Sequence, residues 1–227
     1  MRADKTAVIF FSRTQVSESQ SKIFDPSFYV NAKITSAIIS RSLKTLRKTG
    51  LDIIYYNEYL QEAELFGENI VGAFQYGFDQ GYDQLILVGN DCVELSASDV
   101  LNASDQIKKS DIVLGPDYRG GLYLIGLNRN SFEKNKSNFQ QLSWRQQNLW
   151  RDCVFAFPEF CELRRLHDIN SLHDLRKFIL TNQSSFSRTI RTLLSSKGSL
   201  KVGFLSPNST YVKLSPQWRR GPPEVLT

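Results

Sequence analysis

The residues that could do chemistry gather in short stretches that each follow an apolar run. Gly89-Asn90-Asp91-Cys92 comes directly after QLILV (84–88), with Glu94 close behind. An aspartate there either holds a metal or a ribose hydroxyl, or accepts the backbone N–H groups of its own turn. Pro116-Asp117-Tyr118-Arg119-Gly120-Gly121 follows DIVLG (111–115). Its paired glycines either let the backbone approach a ligand closely or simply turn it. Neither stretch is a Walker A loop or a GxGxxG fingerprint. His167 and His173 are the only histidines, and neither has metal-ligand or serine-triad partners around it. Cys92 sits at a strand end without a nearby histidine to activate its thiol, so packing is the better reading. Trp144 and Trp150 either stack on a base or sugar or fill the core.

These stretches must be positioned by the runs they follow. TAVIFF (6–11), DIIYY (52–56) and QLILV (84–88) are short and continuously apolar, as strands buried on both faces are. DIVLG (111–115) and LYLIGL (122–127) read as two more, and residues 160–166 as a further candidate. Between them, residues 31–48, 67–80 and 97–108 carry apolar residues at helical spacing, with Ser96 placed to cap the third. Residues 146–157 and 172–180 read as later helices. This alternation predicts an α/β fold with a mostly parallel sheet flanked by helices. In such sheets ligands bind outside the carboxyl ends of the strands, which directs attention to the loops beginning near Ser12, Gly89 and Gly115.

A chain of 227 residues, 41% apolar and 22% charged, supports one sizeable core. We expect one main domain over residues 1–180 and a basic extension over 181–227, acting as a dimer arm or partly disordered; residues 200–205 and 211–214 are weak strand candidates within it. No apolar run reaches the length of a membrane span. Three cysteines without CxxC spacing suggest neither a disulfide framework nor a zinc knuckle, so a cytoplasmic location is expected. The net charge of +5 is spread along the chain and has no interleaved aromatics, which argues against nucleic-acid binding.

Taken together, AVIFFSR (7–13), GENIVGAF (67–74), GYDQLILVGNDCVEL (81–95), DIVLGPDYRGGLYLIGL (111–127), LSW (142–144) and DINSLHDL (168–175) carry a family resemblance. In order and spacing they resemble the small bacterial glycosyltransferase-like proteins related to arsenosugar-biosynthesis glycosyltransferases, a former domain of unknown function. The resemblance implies a GT-A nucleotide-diphospho-sugar transferase fold. It further implies that Arg13, Lys22, Asp91, Gly120, Gly121 and Trp144 hold the nucleotide sugar, and that Asp91 and Asp168 are what remains of a Mg²⁺ or Mn²⁺ site. Asp91, Arg119 and Glu94 would be the catalytic residues, Arg119 stabilising the leaving diphosphate and Glu94 or Asp117 activating a hydroxyl of an unidentified acceptor.

The departures fall where that chemistry would be. The family's Lys-Thr-Arg after the first strand is reduced to Lys22, about one position out of register. Its Gly-Glu-Arg arginine is Asn69, the Asp before Gly-Gly is Arg119, the second acid of its late Asp-x-Asp is Asn170, and the Ser-Thr after the tryptophan is Arg145-Gln146. A hard divalent cation loses affinity when a site gives up carboxylates and gains a fixed positive charge. Two functions stand side by side: a glycosyltransferase with a degenerate metal site, in which Arg119 replaces the cation, and a catalytically inactive relative that binds or interacts. A nucleotidyltransferase ranks below both, because no Gly-rich, Arg- and Lys-bearing loop follows Phe11.

Overall fold

Six of the apolar runs form one sheet in the computed structural model, which describes residues 4–144 and 146–195. The strands are β1 (Thr6–Phe11), β2 (Asp52–Tyr56), β3 (Gln84–Val88), β4 (Ile112–Pro116), β5 (Leu122–Asn128) and β6 (Cys161–Glu162). Their order is β2-β1-β3-β5-β4-β6. β5 pairs antiparallel with both neighbours and the other pairings are parallel, so the expected mostly parallel sheet is what forms.

The strands alternate with α1 (Gln15–Ser21), α2 (Phe28–Arg47), α3 (Phe66–Asp79), α4 (Ala97–Ile107), α5 (Arg129–Gln141), α6 (Gln146–Ala156), α7 (Leu172–Thr181) and α8 (Ser185–Ser195). Period-two alternation along each strand sends neighbouring side chains to opposite faces. Ala7, Ile9, Leu85 and Leu87 therefore join one apolar cluster with Phe74, Phe78, Phe132 and Phe139 of α3 and α5. Val8, Phe10, Ile86 and Val88 join another, with Ile39 and Leu46 of α2 and Val100 and Ala103 of α4. A third cluster ties α2 to α7 and α8 through Ile34, Ile38, Leu175, Phe178 and Ile190.

The expected helices and strands form, and α1, α5 and α8 are additions to them. α5 reads RNSFEKNKSNFQQ and buries only Ser131, Phe132 and Phe139, too few apolar positions to announce an amphipathic helix. β6 is shorter than the 160–166 candidate; beyond it, only an isolated bridge between Asp117 and Leu166 continues the pairing. α8 belongs to the packed body, since Ile190 is fully buried against α2 and α7, so packing continues past residue 180 to Ser195. The strand candidates at 200–205 and 211–214 lie outside the described residues.

Candidate functional site

The β1–α1 connection places Lys22. Thr14 caps α1, and its N–H (2.7 Å) and hydroxyl (2.6 Å) both reach the Glu58 carboxylate, which also accepts from the Ser17 hydroxyl. After α1 the chain folds back over Asn31 of α2, a side chain 3% exposed. Asn31 accepts the Phe24 N–H (2.7 Å) and donates to the carbonyls of Ser19 (2.7 Å) and Lys22 (2.8 Å). Held this way, Lys22 extends its ammonium to the carboxylate of Asp91 and to Glu18 (3.1 Å). Burial alone would lower the Lys22 pKa, but the two carboxylates outweigh it and hold the group above its ordinary value.

Asp91 sits just past β3, at the carboxyl edge of the sheet, as its place in the sequence implied. Its backbone carbonyl accepts from Ile169 N–H (2.9 Å), and this bond brings the neighbouring Asp168 up to the same edge. There the Asp168 carboxyl hydrogen-bonds with Asp117, and one of its oxygens is buried with no hydrogen bond. Burial, with the charges of Asp91 and Asp117 behind it, pushes the Asp168 carboxyl well above the usual range. Asp117 also closes its own loop, accepting from the N–H groups of Arg119 (2.6 Å) and Gly121 (2.7 Å), while Gly120 takes a φ of 87° that favours glycine.

The sign of the Asp168 shift makes a prediction. A carboxyl with a raised folded pKa favours the fold below its unfolded value near 3.8, and that contribution is lost as pH rises through the folded value. Asp168→Asn, which imitates the neutral acid, should therefore narrow the fall in stability between acid and neutral pH. Urea titrations of both proteins at several pH values measure it; parallel pH profiles would refute the assignment.

The other sequence candidates each have partners of their own. Arg119 pairs with Asp174, the residue that forms the α7 capping box with Ser171, so its charge is committed to a helix end. Glu94 accepts from the backbone N–H of His167 (2.9 Å) and faces its ring nitrogen (3.2 Å). Arg13 acts on Asp91 electrostatically, lowering its pKa against the dominant effect of burial. Its carbonyl is fixed by the Tyr55 hydroxyl (2.8 Å). Trp144 donates its indole N–H to Phe139 O (2.9 Å) and packs its ring on Phe66, which in turn meets Phe11 at the carboxyl end of β1. Asn69 binds the carbonyls of Ala63 (2.8 Å) and Leu65 (3.2 Å), where the family's arginine would be.

Sequence reasoning missed Asn31, Glu18 and Glu58. Only Asn31 carried a signal, as a polar residue on the helical stripe of Ile34 and Ile38. Tested against a divalent cation, the residues present do not fit. The Asp91 carboxylate carries the Lys22 ammonium where a cation would have to sit, and that positive charge repels one. No group of three metal-ligating side chains occurs among the described residues.

Comparison with known proteins agrees with this architecture. Residues 35–146 match the model of a family described as an uncharacterized protein conserved in bacteria (DUF2064). A candidate nucleotide-diphospho-sugar transferase from Desulfovibrio desulfuricans G20 superposes with a TM-score of 0.73 at 22% identity, over 84% of this chain and 94% of that one. Weaker likenesses include Rv0371c in complex with manganese from Mycobacterium tuberculosis H37Rv, with a TM-score of 0.46 at 10% identity over 78% and 100% of the two chains. A cytidylyltransferase from Leptospira borgpetersenii reaches a TM-score of 0.46 at 10% identity over 85% and 93%. No curated protein matches the sequence.

Proposed function

We propose that this chain, a divergent member of the bacterial DUF2064 family over residues 35–146, is a glycosyltransferase-type protein that binds a nucleotide-diphospho-sugar without a divalent cation. The observation that carries the reading is the Lys22 ammonium seated on Asp91 at the carboxyl edge of β3. In sheets of this kind the ligand lies along that edge. A cation beside a diphosphate offsets its charge and stabilises the further charge that develops as the sugar–phosphate bond breaks. Lys22 and Arg13 are the cations available there, and Lys22 replaces Arg119 in the role first suggested by the sequence.

The nucleotide requires a rearrangement. Lys22 is already neutralised by Asp91 and Glu18, so the diphosphate must draw the ammonium away from at least one of them. That exchange makes binding weaker than at an open site, and it needs no Mn²⁺ as long as the ammonium stays on Asp91 and gives up Glu18. It also favours a second reading, a binding protein without turnover. Acceptor-free hydrolysis of a nucleotide-sugar panel separates the two: release of nucleoside diphosphate, lost in Asp91→Ala, marks a transferase, and binding without release marks the inactive relative. Three free cysteines and the absence, among the described residues, of any helix long and apolar enough to cross a membrane support a cytoplasmic location.

A further inference from the structure

Next to the closed Lys22–Asp91 contact lies an open groove of about 410 Å³, within the size range of small-molecule sites. It draws its walls from separate parts of the chain: Arg41 of α2, Glu94 after β3, Tyr118 after β4, Arg164 and His167 after β6, and Asn182 between α7 and α8. The walls are braced from behind. Asp99 grips Arg164 through two hydrogen bonds (2.7 and 2.8 Å), and the Tyr123 hydroxyl fixes the Arg164 carbonyl (2.8 Å). Arg41 donates its Nε–H to Val93 O (2.9 Å), and Tyr118 N–H to Leu166 O (3.2 Å).

The lining defines a ligand. Tyr118 stacks on His167 with ring centroids 4.2 Å apart yet remains 60% exposed, so the other face of its ring is open to a second flat or puckered ring. Asp99 and Glu162 offset Arg164 and Arg165, whereas Arg41 pairs with none of the described carboxylates and holds its guanidinium over the Phe186 ring, 5.3 Å from the centroid. Asn182 and Glu94 can accept from hydroxyls. An apolar molecule would gain little from such walls. A hydroxylated ring bearing an anionic group matches them.

We infer that this groove is a second ligand site, taking a phosphorylated sugar with its ring on Tyr118 and its phosphate at Arg41. Its role as the acceptor site rests on the transferase reading, through Glu94, which lines the groove and lies three residues from Asp91; the binding itself does not.

The test is calorimetric titration of the full chain with glucose 6-phosphate, glucose and inorganic phosphate. Glucose 6-phosphate should bind more tightly than either fragment, and Arg41→Ala and Tyr118→Ala should each weaken it roughly tenfold, as loss of a charge-assisted contact or an aromatic platform does. Tyr118→Phe keeps the ring and should bind like the parent. Tyr118 is exposed, so its truncation leaves the fold intact and decides the matter if Arg41→Ala fails to fold. No binding, equal binding of inorganic phosphate, or indifference to Tyr118→Ala would overturn the inference. A parallel titration with nucleoside diphosphates keeps the two readings apart: its failure alone removes the proposed function, and failure of the sugar phosphate alone removes this site.

Discussion

Replacing Lys22 by methionine should lower stability by about 2–3 kcal/mol. Removing one partner of a fully buried ion pair costs about 3–5 kcal/mol, because the remaining charge is left without compensation. Here Glu18 is 8% and Asp91 31% exposed, so water recovers part of that cost. In a protein of this size the loss corresponds to a fall in Tm of roughly 5–10 °C. The ammonium titrates above 10.5, and a group with a raised folded pKa stabilises at every pH below its unfolded value. The deficit should therefore be constant from pH 6 to 9. The same substitution frees Asp91 and Glu18 for an added cation, so Mn²⁺, followed by its electron paramagnetic resonance signal, should bind the variant and not the parent. A variant as stable as the parent, with no gain of Mn²⁺, would show that the ammonium does not stand in the cation's place.

Asn31→Ala should cost about 3 kcal/mol, a sum of unsatisfied groups rather than of lost packing. It strands the Phe24 N–H and the Ser19 and Lys22 carbonyls in a region where each unpaired group costs about 1–3 kcal/mol, short of full additivity because the loop can relax. Once the loop relaxes, Lys22 no longer reaches Asp91, so nucleotide-sugar affinity should fall with stability. Urea unfolding and titration of the same variant measure both. Loss of stability with affinity retained would leave Asn31 a structural residue only, without a part in positioning Lys22.

The parts of this account legible in the sequence are those set by local pattern. β1, β2 and β3 have the expected bounds because continuous apolar runs permit few other readings. The place of Asp91 at the sheet edge was legible because its address, one turn past a buried strand, is a local property. What escaped is what long-range contacts decide. Lys22 and Asp91 are separated by 69 positions and Arg119 and Asp174 by 55, so spacing could not show that the lysine, not the arginine, meets the aspartate. α5 was missed because two buried phenylalanines suffice for a helix braced by α3. Trp144 keeps both uses that tryptophan serves, since its indole N–H is bound to Phe139 O while its ring, packed on Phe66, is only partly buried.

Calorimetric titration of the purified protein with a panel of nucleotide sugars, in EDTA and again in Mn²⁺, tests the central claim most directly. If the Lys22 ammonium replaces the cation, one nucleotide sugar binds with the same affinity in both, and Lys22→Met loses that binding in EDTA. Binding that appears only with Mn²⁺ would contradict the account, because it would require Asp91 to release Lys22 and hold the metal instead.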